Sequence, residues 1–365
     1  MPAFVHGIEL NRRFYLVAVR PILEAHFPSL PYAAAHIGSG SDVLGFDDEM
    51  STDHEWGPSL RIFLRDEDAH LANDIREMLR QHLPHVFCGY PVGVVAVLDE
   101  PGIHRMQMAA DGPVNHRVCV TTVCAAALRN LGYDVNQPPT AADWLTFPTQ
   151  KLRELTAGAV YYDGVGELTR LRERLAWYPR DVWLYLLAAG WQRIGQEEHL
   201  MPRAGFVGDE MGAAIIGSRL VRDVMSICFL MEKQYAPYPK WFGTAFKQLK
   251  CAADLTPILW RAQMASTWRE REDALCEAYE YLARTHNRLG ITPPLPAVVS
   301  SFHDRPFRVI HSDLFANSIV EQISDPEVRR IASRRLIGNI DQWSDSTDIR
   351  SDAVWRPIVR QLYQP

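Results

Sequence analysis

The alternation of apolar and polar residues divides the chain into an N-terminal part that mixes helices with strands and a longer part that is mainly helical. Residues 9–27, ELNRRFYLVAVRPILEAHF, carry apolar side chains at roughly helical spacing, and Pro21 is expected to bend this helix. PYAAAHIG predicts a short buried strand. LRIFL predicts another strand because its polar and apolar positions alternate. GVVAVL and RVCVTTV predict two more, because β-branched residues are enriched in strands.

A second helix is predicted between these strands. In DEDAHLANDIREMLRQHL, residues 66–83, the apolar positions Leu71, Ile75 and Leu79 lie on one stripe of an amphipathic helix. The N-terminal part thus runs helix, strand, turn, strand, helix, strand, strand. That order indicates an α/β unit.

From about Leu168 onward, long segments follow the helical period and predict a bundle. PPLP at residues 293–296 ends this region. The tail that follows contains one strand-like run, FRVIH, and a helix near DPEVRRIASRRL. The whole pattern predicts an α+β chain with regions at residues 1–166, 167–292 and 293–365.

Composition and charge narrow the class of protein. The 365 residues are 47% apolar and 22% charged, which is typical of a globular protein. A formal charge of −6 argues against nucleic acid as a partner. No apolar run approaches the ~18–20 residues that a membrane span needs, and the N-terminus lacks a secretory signal. Six cysteines without C-x-x-C pairing favour a reduced, cytoplasmic protein. We expect this protein to be a monomer or a homodimer.

The stretch HIGSGSDVLGFDDEMSTDHEWGP, residues 36–58, holds the candidate chemistry. A P-loop is excluded because no lysine precedes Lys151, and a dinucleotide fingerprint is excluded because Gly38, Gly40 and Gly45 have the wrong spacing.

The acids of this stretch allow another interpretation. If STDHEW is extended, Asp53 and Glu55 project from one face with Cα atoms ~6.5–7 Å apart. Two carboxylates at that spacing can bracket a divalent cation, and hard oxygen ligands favour Mg²⁺. A turn at Gly38 and Ser39 offers backbone N–H groups and a hydroxyl to phosphate oxygens. The metal could then neutralise a triphosphate and orient an attack at phosphorus.

These residues resemble the signature of the DNA polymerase beta-type nucleotidyltransferase superfamily: Gly-Ser, a glycine midway, then Ser/Thr-Asp-x-Asp/Glu. The Asp-x-Glu form is similar to that of kanamycin nucleotidyltransferase and related antibiotic adenylyltransferases. Over the whole chain, GSGSDVLGFDDEMSTDHEWGP, YAPYPKWFGTAF and IDQWSDSTD resemble a bacterial nucleotidyltransferase-like family of unassigned function.

The resemblance implies a mixed sheet flanked by helices in a catalytic domain at 1–166. It implies a nucleotide- and acceptor-binding helical domain at 167–292, with residues 293–365 packing on the cleft. The implied reaction is Mg²⁺-dependent transfer of AMP from ATP to a small-molecule acceptor, with Asp53 and Glu55 as catalytic metal ligands. Gly38, Ser39 and Ser51 are the implied nucleotide-binding residues of the first domain.

Further nucleotide-binding candidates lie in the helical region. Arg219 and Arg222 form either a surface pair with Asp223 or a cationic ledge for triphosphate, since arginine matches phosphate oxygens. Lys240, with aromatic neighbours in YAPYPKW, combines a cation with surfaces for base stacking. IDQWSDSTD is expected to reach the active-site cleft.

One departure concerns the third carboxylate that superfamily members place on a neighbouring strand, because HRVCVTTV contains no acid. The sequence leaves several replacements open: Asp111, Asp163, Asp341, Asp345 and Asp348. Some antibiotic nucleotidyltransferases take a general base from the helical domain, where the candidates are Glu197, Glu198, Asp209 and Glu210. We interpret each of these first as a surface acid of a helix, with a general base as the alternative. The departure keeps two alternatives open: a nucleotide-binding regulatory protein that has lost transfer, and AMP transfer onto a partner macromolecule.

Overall fold

A four-stranded mixed sheet organises the N-terminal part of the protein. The structure is a computed structural model that describes residues 3–53, 56–96, 104–106 and 112–364. The strands of all its sheets are, in chain order, β1 (Tyr32–His36), β2 (Ser59–Leu64), β3 (Val86–Phe87), β4 (Tyr90–Pro91), β5 (Val94–Ala96), β6 (His104–Met106), β7 (Arg117–Thr122), β8 (Ala159–Asp163), β9 (Ser300–Ser301) and β10 (Arg308–Val309).

The large sheet has the order β7-β2-β1-β8. Strand β1 pairs antiparallel with both β2 and β8, whereas β2 and β7 run parallel from the Ser59–Arg117 pair onward. Every residue of β1 is buried, and its alanines occupy little space between the layers on either side. The remaining strands form two-residue and three-residue ribbons: β3 with β4, β5 with β6, and β9 with β10.

The helices run along the whole chain. They are α1 (Gly7–Phe14), α2 (Arg20–His26), α3 (Ser41–Leu44), α4 (Ala72–His82), α5 (Val123–Leu131), α6 (Ala141–Thr146), α7 (Thr149–Thr156), α8 (Glu167–Arg174), α9 (Arg180–Glu197), α10 (Leu200–Phe206), α11 (Glu210–Met231), α12 (Phe242–Phe246), α13 (Ala252–Met264), α14 (Trp268–Leu289), α15 (Ser312–Val320), α16 (Pro326–Ala332), α17 (Ile340–Trp343), α18 (Thr347–Ser351) and α19 (Arg356–Arg360).

By internal contacts the chain divides into two units. Residues 1–138 and 151–176 form the first, which we call the sheet unit. Residues 139–150 and 177–365 form the second, which we call the helical unit. The division places α6 with the later helices, although its residues precede β8 in the sequence.

The core of the sheet unit lies between the first helices, α4 and the sheet. Phe14 and Val19 from the N-terminal helical stretch pack in one cluster with Ile62 of β2 and Leu79 of α4. A π-helical turn, Tyr15–Val19, separates α1 from α2. It directly precedes the turn with Pro21, whose missing N–H cannot continue the α-helical hydrogen-bond pattern.

Helix α9 is the centre of the helical unit. Its residues from Asp181 to Trp191 are all buried, which is the pattern of a helix surrounded by others. The two longest helices around it have clear start signals. Asp209 caps α11, and Thr267 and Glu270 form a capping box at α14.

The α+β prediction is confirmed, with the mixed sheet first and the helices concentrated afterwards. The predicted strand in FRVIH shrinks to Arg308–Val309, and the helix near DPEVRRIASRRL is α16. Only the first residues of GVVAVL are described, and they form β5. None of the helices in the described residues is long and apolar enough to cross a bilayer.

Candidate functional site

The Gly-Ser turn follows directly on the end of β1. Gly38 and Gly40 have φ values of 125° and 138°, which a side chain rarely tolerates, and α3 begins at Ser41. Gly38 is buried, whereas Ser39 and Gly40 are exposed. The turn therefore presents the backbone of Ser39 and Gly40, and not of Gly38, to solvent.

The expectation that both amides of the Gly-Ser pair are available is wrong for Gly38. Its N–H donates to the carbonyl oxygen of Glu154 at 2.9 Å. Within the described residues, no hydrogen bond involves the N–H groups of Ser39 and Gly40. Phosphate oxygens could therefore bind at those two amides.

A cation that the sequence did not reveal lies beside this turn. The Arg61 side chain of β2 donates from Nε to the carbonyl oxygen of Ile37 at 2.9 Å. A Cβ atom added to Gly38 would lie 2.8 Å from the Arg61 guanidinium. The only sequence signal was a charged residue inside the strand LRIFL, which we interpreted as simple alternation.

The predicted extended conformation of STDHEW is wrong in its first half. Asp53 ends a 3-10 helix, Glu49–Asp53, and it is exposed. The Asp48 carboxylate accepts the N–H of Ser51 at 3.1 Å, which favours a turn over a strand. The strand itself starts at Ser59, after Pro58. Glu55 lies outside the described residues, so its distance from Asp53 stays a prediction.

The structure nevertheless brings the two halves of the predicted site together. The Ser41 hydroxyl, next to the Gly-Ser turn, donates to the Ser51 hydroxyl at 3.4 Å. Ser51 is half-buried and lies two residues before Asp53 in the same 3-10 helix. The Gly-Ser turn and the acidic segment are thus neighbours at the carboxyl end of β1.

Two other acids of the stretch, Asp42 and Asp47, anchor this loop to neighbouring elements. Asp42 is buried and its Oδ2 lies 2.9 Å from Nε2 of His36. Asp47 is buried as well and accepts the N–H of Gly7 at 2.7 Å and the indole N–H of Trp56 at 3.0 Å. These two carboxylates fix the loop to β1 and α1.

Of the described candidates for a third carboxylate, Asp163, Asp341 and Asp345 have structural partners. Asp163 accepts the N–H of Gly166 at 2.6 Å and the N–H of Thr169 at 2.9 Å, at the start of α8. Asp341 accepts the N–H of Thr149 at 2.8 Å, and Asp345 pairs with Arg222. Asp348 is exposed in the first turn of α18. Asp111 lies outside the described residues.

The candidate bases of the helical unit also have partners. Glu197 pairs with Arg219, Asp209 caps α11, and Glu210 lies 3.9 Å from Arg271. We interpreted these acids as surface groups, which is wrong for Glu198. It is buried and accepts the N–H of Ile310 at 2.7 Å and of Ser312 at 3.1 Å. Burial raises the pKa of Glu198 to about 7.

A cavity of about 430 Å³ lies within the helical unit. Its volume is in the range of small-molecule sites. Residues from four stretches of sequence line it: Thr149, Trp177, Tyr178, Gly190, Arg193, Arg222, Asp223, Ser226, Ile227, Phe229, Leu230, Gln234, Tyr235, Ala236, Pro237, Pro239, Phe242, Asn339, Asp341, Gln342, Asp345, Thr347 and Arg350. The segments YAPYPKW and IDQWSDSTD both contribute to this wall.

The cations predicted to bind nucleotide lie in the helical unit and differ in their surroundings. Arg222 lines the cavity and pairs with Asp345, while Arg219 pairs with Glu197. Of the two alternatives for these arginines, the surface pair with Asp223 is wrong, because the Asp223 carboxylate accepts a hydrogen bond from Arg193 at 3.2 Å. Lys240 is exposed, with its ammonium 4.9 Å from the centre of the Trp241 ring.

The described residues contain no group of three or more His, Cys, Asp and Glu side chains placed to hold a metal ion. A Mg²⁺ site at the Gly-Ser loop therefore needs Glu55, or oxygen ligands from substrate, beside Asp53. Carboxylate and phosphate oxygens together are a donor set that Mg²⁺ accepts.

A family model matches part of the chain, and a solved structure is similar to it over most of its length. Residues 144–242 match a family model described as a domain of unknown function (DUF4037). This range supplies most of the cavity lining. No curated protein matches the chain. The chain is similar to a crystal structure of a nucleotidyltransferase-like protein from Exiguobacterium sibiricum, with 12% identity and a TM-score of 0.32 over 86% of this chain and 89% of that chain.

Proposed function

We propose that the protein is a Mg²⁺-dependent nucleotidyltransferase that moves a nucleoside monophosphate, with ATP as the donor, to a hydroxyl or phosphate of a small-molecule acceptor. The observation that supports this most directly is the loop after β1. There, the Ser41–Ser51 hydrogen bond joins the Gly-Ser turn to the segment that ends at Asp53. This juxtaposition is what a site for a metal-bound triphosphate needs.

Some of the loop residues would bind the phosphate groups, and others would bind the metal ion. The exposed amides of Ser39 and Gly40 would donate to phosphate oxygens, and Arg61 beside the turn would balance their charge. Asp53 and Glu55 would hold Mg²⁺, which supplies charge neutralisation and orientation for an in-line attack at the α-phosphorus. The acceptor oxygen would form the new P–O bond as the bond from the α-phosphorus to the leaving pyrophosphate breaks, and a hydroxyl acceptor would release its proton to water.

One observation favours the alternative of nucleotide binding without transfer. Both oxygens of Asp163, the described candidate for a third carboxylate in the sheet unit, accept hydrogen bonds at the start of α8. A site with only Asp53 and Glu55 would still bind Mg-ATP. It would lack the third carboxylate with which superfamily members are expected to complete the site.

A titration with Mg-ATP tests both candidates. We expect Asp53→Asn and Glu55→Gln to weaken Mg-ATP binding by at least about tenfold, because an amide oxygen is a poorer ligand for Mg²⁺. Glu49→Gln is the matched control, since Glu49 is an exposed acid in the same 3-10 helix. It should bind Mg-ATP like the wild type.

Pyrophosphate release in the presence of a metabolite extract separates the two functions. Release by the wild type, lost in Asp53→Asn, supports transfer. Binding that depends on Asp53, without release from any extract, supports the regulatory alternative. Equal binding by wild type, Asp53→Asn and Glu55→Gln would show that this loop is not a nucleotide site.

A further inference from the structure

One side of the cavity in the helical unit is built from aromatic rings. The rings of Trp177, Tyr178 and Tyr235 lie 4.8–5.2 Å apart, centre to centre, and all three line the cavity. Phe229 and Phe242, also in the lining, are 5.3 Å apart. Such a wall favours a flat ligand, because aromatic rings stack on one another at these distances.

The charged residues of the cavity compensate one another. Its lining contains three Arg–Asp pairs: Arg193 with Asp223, Arg222 with Asp345, and Arg350 with Asp341. Their formal charges sum to zero, so the wall provides no excess cation for a phosphate group. An anionic ligand would therefore meet an aspartate beside each arginine of the wall, whereas an uncharged ligand would leave all three pairs undisturbed.

Three polar atoms in the wall have no hydrogen-bond partner among the described residues, and Nε of Arg350 is one of them. Asp223 is only 8% exposed, and its Oδ2 has no hydrogen-bond partner among the described residues, although Oδ1 bonds to Arg193. The indole N–H of Trp177 is also buried and unpartnered there. Buried polar groups are normally paired, because an unpaired one retains its full cost of desolvation. A molecule in the cavity could satisfy one acceptor and one donor at once.

We propose that this cavity binds an uncharged, planar heteroaromatic molecule. Its ring stacks against the wall of Trp177, Tyr178 and Tyr235. An N–H group of the ligand donates to Oδ2 of Asp223, and a ring nitrogen or carbonyl oxygen accepts the indole N–H of Trp177. The inference concerns binding alone and does not depend on nucleotide transfer at the Gly-Ser loop.

Calorimetric titration of the full chain with defined probes tests the ligand class. Adenosine, cytidine and nicotinamide are uncharged, and each carries an N–H donor beside an acceptor. We expect at least one of them to bind with a Kd of about 1 mM or tighter. Its anionic counterpart (AMP, CMP or nicotinate) should bind less tightly, and so should an analogue whose amide or amino N–H groups are methylated.

A pair of tryptophan variants tests the location. Trp177→Phe removes the unpartnered N–H and keeps an aromatic ring, so it should weaken binding about three- to tenfold, the value of one hydrogen bond. The melting temperature of the free protein should change little, because that N–H bonds to nothing described. Trp260→Phe is the control, since Trp260 is 63% exposed on α13 and is not part of the cavity lining. It should bind the probe like the wild type.

Three results would overturn the proposal. The first is that none of the uncharged probes binds at millimolar concentration. The second is that an anionic probe binds more tightly than its uncharged counterpart and loses that binding in Trp177→Phe. The third is that Trp177→Phe and Trp260→Phe behave alike towards a probe that binds. If Trp177→Phe does not fold, the comparison of methylated and unmethylated probes on the wild type still decides.

Discussion

At the residue scale, the glycines around the Gly-Ser loop show the difference between a strained backbone and a crowded one. Gly45 and Gly158 have nearly the same left-handed conformation, with φ values of 70° and 68°. Among the described residues, a Cβ at Gly45 would meet nothing within 4 Å, whereas one at Gly158 would overlap the carbonyl oxygen of His36 at the end of β1. The two sites therefore form a matched pair.

We expect Gly45→Ala to lower the free energy of unfolding by about 1 kcal/mol, the cost of left-handed backbone for an L-residue. Gly158→Ala should cost about 3 kcal/mol or more, because overlap with backbone adds a packing penalty to the same conformational cost. Urea unfolding of both variants measures the difference. Equal losses would mean that the approach of Gly158 to β1 is not tight.

At the element scale, Asp163 links β8 to α8. Its carboxylate accepts hydrogen bonds from Gly166 and from both the N–H and the hydroxyl of Thr169. Removing a capping carboxylate costs about 1–2 kcal/mol, so we expect Asp163→Ala to lower stability by that amount. Asp163→Asn keeps one acceptor oxygen and should cost less.

Thermal unfolding with and without Mg-ATP distinguishes a cap from a metal ligand. A capping role predicts that Asp163→Asn keeps the full Mg-ATP-dependent increase in melting temperature. If Asp163→Asn is as stable as the wild type but loses that increase, Asp163 is the missing third carboxylate.

Some features of the elements around the site follow from the sequence, and others depend on contacts that the sequence does not reveal. The turn after β1 was predictable because only glycine tolerates the φ values of Gly38 and Gly40. The conformation of Asp53 was not, since Asp48 and Ser51 form a local turn that an assumed strand pattern conceals. The cavity was also beyond prediction. Its lining runs from Thr149 to Arg350, and no periodic signal joins residues so far apart.

At the scale of the whole molecule, the buried Glu198 makes stability depend on pH. Its pKa rises from an ordinary 4.5 to about 7 because burial disfavours the charged carboxylate. The folded protein therefore binds this proton more tightly than the unfolded chain between those two values. The contribution of Glu198 to the free energy of unfolding should fall by up to about 3 kcal/mol as the pH rises from 4.5 to 7, and stay level above.

The comparison with Glu198→Gln isolates this contribution. The glutamine variant loses one of the two backbone hydrogen bonds at every pH, but it cannot ionise. The stability advantage of the wild type over Glu198→Gln should therefore be largest near pH 4.5 and shrink towards pH 7. Glu321→Gln, at an exposed position, should parallel the wild type across this range. A constant difference between wild type and Glu198→Gln would contradict the prediction.

The chain passes from the sheet unit to the helical unit, returns to the sheet unit and then completes the helical unit. This order limits how the gene can recombine. Residues 139–150 belong to the helical unit, yet residues 151–176, with β8, return to the sheet unit. Asp143 of α6 forms an ion pair with Arg360 at 2.9 Å, and the Gln150 side chain donates to the carbonyl oxygen of Arg350 at 3.3 Å. A single recombination point anywhere in the gene would therefore leave one unit without a piece of itself. The two units are expected to pass between genomes as one block, and not to be shuffled as separate modules.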